Sequence, residues 1–389
     1  MRQGRAAAAQ RAAARASLAG GERSAGPRSG RRGRPRIHAV ILAGGAGERF
    51  WPASRGRRPK FFLEVGDGRS LLAATLARAR RVADRGAVWV VCGAEQADAI
   101  RRSTRLPARR ILVEPRRRNT AMAVAMASAL VAREEPDAVL AVLPADHRIP
   151  DERAFARAIR RAARAAATGG AIVTLGVRPT RPDTGYGYIR VGAPAGRAWP
   201  GLHRVRSFVE KPDATRARRY LRGGHHLWNA GIFVFAAQIL LREARRCAPA
   251  LHRAVAPLLR ARARAGARLL ARCYRAAPSL PIDVAVIERS RAVWTLPVGF
   301  HWSDVGTWSS LADELGVSPG ATRIVGGELL YDERGGNLVW GRRPVALLGI
   351  EGVAVIDAGD VLLVTKLERS PDVRQVVAAL KARGRTDVL

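Results

Sequence analysis

Apolar residues fall into short runs that alternate with helix-length stretches over the first half of the chain. Five runs have the length and composition of buried strands: 38–42, 87–92, 111–113, 138–143 and 171–175. Helical patterns lie between or after them, at 70–82, 120–133 and 151–167. Strands that alternate with helices of this length predict a mostly parallel sheet whose two faces are both covered by helices.

The pattern changes twice further along the chain. Residues 185–208 alternate like a hairpin, and helical patterns return near 214–222 and 237–263. After about residue 320 short β-rich pieces follow, at 337–340, 345–349, 353–356 and 361–365, before a last helix near 373–383. We therefore expect a small β-rich domain at residues 319–389, after a main domain at 37–318.

The first 36 residues are excluded from the predicted fold. They consist mainly of Arg, Ala, Gly and Ser, and no apolar segment of the secretory type follows them. The composition also resembles a transit peptide, but we expect a disordered extension over 1–36.

The formal net charge of +36 is weaker evidence for a nucleic-acid partner than its size suggests. The chain has only four lysines, Lys60, Lys211, Lys366 and Lys381, against 64 arginines, and it is rich in Ala, Gly and Pro. This composition indicates a coding bias toward arginine, so we expect attraction of anions but no specific nucleic-acid partner. Each surviving lysine becomes more informative for the same reason.

Cysteine use and hydropathy indicate in which cellular compartment we expect the protein. Cys92, Cys247 and Cys273 are odd in number, widely spaced and form no C-x-x-C motif, so neither a disulfide framework nor a zinc site is expected. No stretch of about 18 apolar residues occurs, and we expect no membrane contact. These features favour the cytoplasm.

A glycine-rich loop follows the first predicted strand. Gly44, Gly45 and Gly47 would let backbone N–H groups approach phosphate oxygens, although an ordinary strand-to-helix turn could use them too. The loop is neither a P-loop nor a dinucleotide fingerprint, which argues against a dehydrogenase. Arg49 and Lys60 follow it, and phosphoryl chemistry requires such cations.

The run at 39–55, continued by Pro59-Lys60, resembles the signature of sugar-1-phosphate nucleotidylyltransferases. Its Phe50-Trp51-Pro52-x-Ser54-Arg55 part resembles the mannose-1-phosphate guanylyltransferase version. The resemblance implies a Rossmann-like three-layer α/β/α domain with a small C-terminal β domain similar to a left-handed β-helix. Phe61 stands where bacterial members usually carry Gln, so no role is assigned to position 61.

The same resemblance implies roles around the triphosphate. Arg49 and Lys60 would be catalytic cations. Nucleotide-binding roles fall on Leu42, Gly44, Gly45, Gly47, Glu114, Asn119 and Thr120. A carboxylate at Glu114 could accept from the guanine N1–H and 2-amino groups. Asn119 and Thr120 could instead merely cap the helix that they open.

Two aspartates are candidate ligands for Mg²⁺. Asp146 directly follows a predicted strand, and in an open parallel sheet the carboxyl end of a strand faces the ligand crevice. Asp304 lies in a block that resembles the family's distal metal-binding aspartate, although Ser303 and Asp304 could also cap the next helix. His147 is expected to be structural.

The remaining matching blocks concern the sugar phosphate. Lys211 would hold its phosphate as a catalytic cation, while Gly185, Glu210 and Asn229 would bind the sugar. A solvated hairpin end is the alternative for the segment at 210–212. The block at 282–288 matches a D-x-A-x-x-E pattern of the family, to which we assign a structural role.

These blocks together predict an enzyme that transfers GMP from GTP to mannose 1-phosphate with Mg²⁺. One alternative is a nucleotidylyltransferase for another hexose 1-phosphate or another nucleotide. A second is a non-catalytic relative that binds polyanions. A homodimer is left open.

Overall fold

The computed structural model describes residues 34–45, 47–56, 58–66, 68–261 and 266–389. Residues Pro35–Leu389 form one compact unit. The extension predicted for residues 1–36 lies outside the described residues up to residue 33.

The stretch from residue 37 to residue 298 contains the strands of a large central sheet. Its strands are β1 (Ile37–Ala43), β2 (Val88–Gly93), β3 (Ile111–Glu114), β4 (Val139–Pro144), β5 (Ile172–Val177), β6 (Tyr188–Pro194), β7 (His203–Val209), β8 (His226–Ala236) and β9 (Val293–Val298). Their order is β3-β2-β1-β4-β8-β5-β9-β7-β6, and β6 also pairs with β8.

The sheet is mixed, so the expectation of a mostly parallel sheet was wrong. Strands β1 to β4 pair in parallel, but β8 runs antiparallel to β4, β5 and β6. The helix before β8, α5 (Ala214–Gly223), buries Ala217 and leaves most of its other side chains exposed. It therefore does not cover the sheet as a parallel crossover helix would, and the segment at 226–236, for which the apolar pattern predicted no strand, enters the sheet antiparallel.

Helices cover both faces of the sheet, as expected. They are α1 (Leu71–Val82), α2 (Ala97–Thr104), α3 (Asn119–Glu134), α4 (Glu152–Gly169), α6 (Ala237–Cys247), α7 (Pro249–Arg260) and α8 (Ala267–Ala276). Helices α1, α2 and α4 build one apolar core, while α3, α6, α7 and α8 build the other. The three-layer α/β/α arrangement is thereby confirmed.

The helix expected over 237–263 is two helices. Helix α6 ends at Cys247 and α7 begins at Pro249, with Ala248 extended at φ −140° between them. A residue that precedes proline disfavours the helical conformation, which explains the break at Ala248.

The edge of β8 opens a gap that matters for function. On this edge β4 pairs with the stretch from Phe233 to Ala236, whereas β6 pairs with the stretch from His226 to Trp228. Asn229, Ala230 and Gly231 lie between the two stretches and line a cavity. The split between β4 and β6 thus places a cleft inside the sheet layer, near the carboxyl ends of β1 and β4.

Short parallel strands dominate the last 70 residues, as expected. Strands β10 (Arg323–Val325), β12 (Leu338–Trp340) and β14 (Val353–Asp357) pair in parallel, and β15 (Leu362–Lys366) adds antiparallel to β14. Strands β11 (Leu329–Asp332) and β13 (Val345–Leu347) form a separate parallel pair. Helix α9 (Trp308–Leu315) precedes this region and α10 (Val373–Ala382) follows it.

One apolar core joins three parts of the sequence that are far apart. It contains Phe50 and Trp51 from the segment after the glycine loop, Val305 and Trp308 from the segment after Asp304, and Ile356 of β14. The C-terminal strands therefore pack directly against the two segments that carry Lys60 and Asp304. No helix in the described part of the chain is long and apolar enough to cross a membrane.

Candidate active site

A cavity of about 500 Å³ lies at the split in the sheet. Most of the residues predicted to bind nucleotide, sugar or metal line it: Leu42, Gly44, Gly45, Glu114, Asn119, Thr120, Asp146, Gly185, Glu210, Asn229 and Asp304. Gly47, Arg49, Lys60 and Lys211 are outside this lining. The structure therefore gathers residues from seven separate segments around one cleft.

Gly47 supports the cleft from behind rather than lining it. A Cβ at this position would lie 2.7 Å from both the Lys60 Cβ and the Ser54 Oγ, and the backbone has φ 61°. Only glycine fits both the conformation and the space. Arg49 lies half-buried in the following short 3₁₀ turn, Glu48–Phe50.

Lys60 links the two candidate metal ligands. Its Nζ donates to Asp146 Oδ2 at 2.7 Å and to the backbone oxygen of Asp304 at 2.6 Å. Lys60 is only 8% exposed, and its Nζ lies 5.6 Å from the centre of the Phe50 ring. A cation held this firmly, at the edge of a cleft with two carboxylates, is suited to a highly charged anion.

Electrostatics keep Asp146 ionised. Burial alone would raise the pKa of this carboxyl, but the neighbouring charge and hydrogen bond of Lys60 outweigh burial, so the pKa is lowered. Burial lowers the pKa of His147 to about 4, which leaves its imidazole neutral at neutral pH. His147 Nδ1 accepts from Trp302 Nε1 at 3.2 Å, a contact that fits the structural role expected for this residue.

The Asp304 side chain does not cap the helix that follows. Thr307 caps α9 instead: its hydroxyl accepts from the Ser310 N–H, and the Ser310 hydroxyl accepts from the Thr307 N–H, which together make a capping box. Asp304 Oδ1 accepts from the Tyr186 hydroxyl at 2.8 Å, and burial raises the pKa of Tyr186 so that it stays a donor. The alternative of a capping role for Asp304 was therefore wrong.

The donor set fits a hard divalent cation that also binds substrate phosphates. Asp146 and Asp304 supply carboxylate oxygens at the cavity wall. Within the described residues no cluster of three or more His, Cys, Asp or Glu could hold a metal by itself. Mg²⁺ is commonly held by one or two carboxylates, with water and phosphate completing its shell, so two aspartates suffice.

The sugar side of the cleft is organised around Asn229. Its Oδ1 accepts from the Thr174 hydroxyl at 2.7 Å, and its Nδ2 donates to Asp283 Oδ1 at 2.9 Å. Burial, and then the charge of Glu210, raise the pKa of Asp283 to about 7. Asp283 lines the cavity. The D-x-A-x-x-E block, for which a structural role was expected, therefore also reaches the cleft.

Lys211 lies at the rim next to Glu210. Its Nζ is 3.0 Å from Glu210 Oε1 and its side chain is 59% exposed. The Glu210 side chain is only 18% exposed, and its backbone N–H donates to Glu288 Oε1 at 2.9 Å. Glu288 is thus the structural member of its block, and the segment at 210–212 is only partly a solvated hairpin end. The backbone N–H of Gly185, which also lines the cavity, donates to Asp183 Oδ1 at 2.8 Å.

The opposite end of the cleft presents Glu114. Burial raises the pKa of this carboxyl, and its Oε1 accepts from the Tyr274 hydroxyl at 3.1 Å. Asn119 Oδ1 accepts from the Thr120 N–H at 2.8 Å, which is a local contact at the start of α3. The Thr120 hydroxyl accepts instead from the backbone of Ile282 at 2.9 Å, so capping does not account for both residues.

Sequence reasoning missed Tyr186, Tyr274 and the cavity-facing position of Asp283. The two tyrosines hold the carboxylates of Asp304 and Glu114 from positions far away in the chain. A usable signal existed, because the chain has only five tyrosines and rarely used polar aromatics are informative in the way that rare lysines are.

The fold agrees with comparisons to known proteins. A family model described as nucleotidyl transferase matches residues 38–316, and a model described as a mannose-phosphate isomerase/GMP-like β-helix domain matches 335–380. The chain belongs to the nucleotidyl transferase family. The second match agrees with the predicted β-helix-like C-terminal region, whose left-handedness stays a prediction.

Individual relatives narrow the family further. The xanthan biosynthesis protein XanB of Xanthomonas campestris is 38% identical over 90% of this chain and 74% of its own length. A mannose-1-phosphate guanylyltransferase of Salmonella muenchen is 35% identical over 90% and 74%. A crystal structure described as mannose-1-phosphate geranyltransferase from Thermus thermophilus superposes with a TM-score of 0.80 at 35% identity, over 89% of this chain and 99% of that one.

Proposed function

We propose that this chain transfers GMP from GTP to mannose 1-phosphate, which gives GDP-mannose and pyrophosphate. The observation that carries the proposal is Lys60, whose ammonium group joins the Asp146 carboxylate and the Asp304 backbone beside the cleft. The similarity to a mannose-1-phosphate guanylyltransferase over most of the chain supports the choice of substrates.

The reaction needs no covalent intermediate on the protein. An oxygen of the sugar phosphate attacks the α-phosphorus of GTP in line, the new P–O bond forms, and the bond to the β-phosphate oxygen breaks to release pyrophosphate. The chain contributes by aligning both substrates and by offsetting negative charge. We assign Lys60 to the α-phosphate and the leaving pyrophosphate, and the glycine loop with Arg49 to the outer phosphates.

Two aspartates at the cavity wall would hold the metal. Asp146 and Asp304 would hold Mg²⁺, which supplies positive charge to the phosphates when it is bound. The Tyr186 hydroxyl fixes one oxygen of Asp304, so the other oxygen is left for a ligand. Lys60 keeps Asp146 ionised, as a ligand must be.

The two ends of the cleft would recognise the base and the sugar. Glu114 would accept hydrogen bonds from the N1–H and 2-amino groups of guanine, with Asn119 and Thr120 beside it. At the other end we assign the sugar hydroxyls to Gly185, Glu210, Asn229 and Asp283. Lys211, at the rim, would meet the phosphate of mannose 1-phosphate.

A substrate panel tests this assignment and its alternatives. Pyrophosphate release is measured with GTP, ATP, UTP and dTTP, each combined with mannose 1-phosphate, glucose 1-phosphate or galactose 1-phosphate. We expect GTP with mannose 1-phosphate to give the highest kcat/KM. A higher value for another pair would establish the alternative of a different sugar or nucleotide, and no turnover with any pair would favour a non-catalytic relative that binds polyanions.

Two further predictions accompany the function. A cytoplasmic location follows from the use of GTP and from the three cysteines, each of which is free in the structure. The oligomeric state, with a homodimer as one alternative, is to be measured by light scattering.

A further inference from the structure

Helix α8 and the segment after it cover the loop that carries Glu114. Arg118 Nε donates to the backbone oxygen of Tyr274 at 3.0 Å, and the Ala121 N–H donates to the backbone oxygen of Leu280 at 3.1 Å. Carbonyls at the end of a helix need partners, and a cationic donor such as Arg118 is favourable there. These two hydrogen bonds to backbone oxygens hold Arg118 and the start of α3 against α8 and the segment after it. Neither of them depends on the Tyr274 side chain.

The Tyr274 side chain adds a contact of a different kind. Its ring is fully buried, and its hydroxyl donates to Glu114 Oε1 at 3.1 Å. The sulfur of Met126 is also near the hydroxyl, at 3.6 Å. Burial raises the pKa of the Tyr274 phenol above its ordinary value, so the hydroxyl remains a donor throughout the neutral range.

The other oxygen of Glu114 faces the glycine loop. Oε2 lies 4.0 Å from the place where a Cβ on Gly44 would be, and both residues line the cavity. A carboxylate that is anchored on one oxygen by a rigid aromatic donor has a fixed plane. The Glu114 plane is therefore set by Tyr274, a residue 160 positions away in the chain.

We propose that Tyr274 is the positioning residue for selection of guanine, because its hydroxyl orients the Glu114 carboxylate toward the base edge. This inference rests on the proposed function. Guanine offers a donor pair, N1–H and the 2-amino group, while hypoxanthine lacks the 2-amino group and adenine has an acceptor at N1. A site built to accept a substrate N–H group discriminates strongly against an analogue that lacks it, but only if its acceptor is held in place.

Tyr274 also helps to keep Glu114 ionised. Burial raises the pKa of Glu114, whereas the Tyr274 hydrogen bond and the charge of Arg117 lower it. The buried thiol of Cys92 is the other titratable group coupled to Glu114, and burial raises its pKa to about 12, so it stays neutral. Removal of the hydroxyl raises the pKa of Glu114 further, and a protonated carboxyl is a poor acceptor for guanine N1–H.

The test compares Tyr274→Phe with Tyr331→Phe, which removes a hydroxyl from an exposed residue of the C-terminal strands. Kinetics with GTP and ITP (the hypoxanthine analogue) are measured with mannose 1-phosphate between pH 6 and pH 8. In Tyr274→Phe we expect the KM for GTP to rise about tenfold with kcat changed less than about twofold, and the GTP/ITP preference to shrink. The rise in KM is expected to be larger at pH 6 than at pH 8, and Tyr331→Phe should match the wild type.

A double-mutant cycle isolates the contact itself. Glu114→Gln removes the charged acceptor, so Tyr274→Phe added to it should change the GTP/ITP preference no further. An unchanged GTP/ITP preference and KM in Tyr274→Phe, or a loss confined to kcat, would overturn the inference. Additive effects of the two substitutions would overturn it as well.

Calorimetric binding of GTP and ITP separates this inference from the proposed function. If the wild type makes no GDP-mannose, the proposed function fails. The base preference can still be read from the two dissociation constants, which should lie closer together in Tyr274→Phe. If the ratio of the GTP and ITP dissociation constants is the same in wild type and Tyr274→Phe, this result alone rejects the role of Tyr274.

Discussion

Lys60 shows how one charge can serve both the fold and the chemistry. It is buried, it neutralises the half-buried Asp146, and it reaches the backbone of Asp304. Removal of one partner from a buried ion pair leaves an uncompensated charge, so loss of activity in a single variant would not by itself separate catalysis from stability. A pair of substitutions is needed to do so.

We expect Lys60→Met to lower kcat at least about 100-fold, because a cation that offsets phosphate charge is lost. The same variant should lose about 1 kcal/mol of unfolding free energy, since the half-buried Asp146 loses its cation but keeps part of its contact with solvent. Lys60→Met with Asp146→Asn should regain most of the stability but none of the activity. Urea unfolding and steady-state kinetics on the three proteins measure this, and recovery of activity in the double variant would contradict the assigned role.

Asp283 should make stability depend on pH. Its folded pKa of about 7 lies above the ordinary value of 3.8, so between these values the folded state holds a proton that the unfolded state has lost. The penalty on the fold therefore grows as the pH rises from about 4 to 7, and it stays constant above that range.

Asp283→Asn removes this penalty while keeping an oxygen that can accept from Asn229. We expect the stability advantage of the variant over the wild type to grow by on the order of 2 kcal/mol from pH 5 to pH 8. Thermal unfolding of both proteins at pH 5 and at pH 8 measures this growth. A difference in stability between wild type and variant that stays constant with pH would contradict the raised pKa.

At the scale of elements, the segment after the glycine loop is tied to the C-terminal region. Trp51 Nε1 donates to the backbone oxygen of Val388 at 2.7 Å, and Lys381 Nζ lies 2.5 Å from Glu48 Oε1. Arg55 makes two 2.7 Å hydrogen bonds to the carboxylate of Asp360. The last helix and its tail thus fix the segment that leads to Lys60.

Trp51→Phe tests this connection, provided that the loss of ring volume in the core is matched by a control. The variant leaves the Val388 carbonyl without its buried donor, which should cost about 1–3 kcal/mol. We expect a several-fold lower kcat, because Lys60 is attached to the same segment. Trp340→Phe is the matched control, since it removes the same ring volume from the partner of Trp308 on β12 and leaves the Trp51–Val388 hydrogen bond in place. The Tm of each variant is measured as well, so that kcat is compared between folded proteins. An equal kcat for the two variants would argue against the connection between the C-terminal region and Lys60.

Sequence patterns predicted local features well and long-range ones poorly. The strand that ends at the glycine loop and the helix at 71–82 could be read from nearby residues, as could the short C-terminal strands. The antiparallel β8 could not, because its direction is set by its pairing with β4, β5 and β6, which come from other parts of the sequence. The contacts of Tyr186 with Asp304 and of Tyr274 with Glu114 span 118 and 160 residues, and no local pattern indicates them.

At the scale of the whole molecule, the boundary proposed at residue 318 does not divide the apolar core. The core that holds Trp51 and Trp308 also holds Ile356 and Val377 from beyond the boundary. We therefore expect the C-terminal region to unfold together with the main domain.

Differential scanning calorimetry of the full chain should show one cooperative transition. A chain truncated after residue 318 exposes the apolar side chains of this shared core, so we expect it to aggregate and to lack transferase activity. Two separate transitions, or a truncated chain with normal kcat, would show that the regions are independent.

The central claim is the transfer of GMP to mannose 1-phosphate, and product analysis tests it most directly. The full chain is incubated with GTP, mannose 1-phosphate and Mg²⁺, and nucleotides and pyrophosphate are quantified over time by chromatography. The account predicts GDP-mannose and pyrophosphate in equal amounts, with formation stopped by a chelator. Release of GDP or GMP without GDP-mannose, or no consumption of GTP, would contradict it.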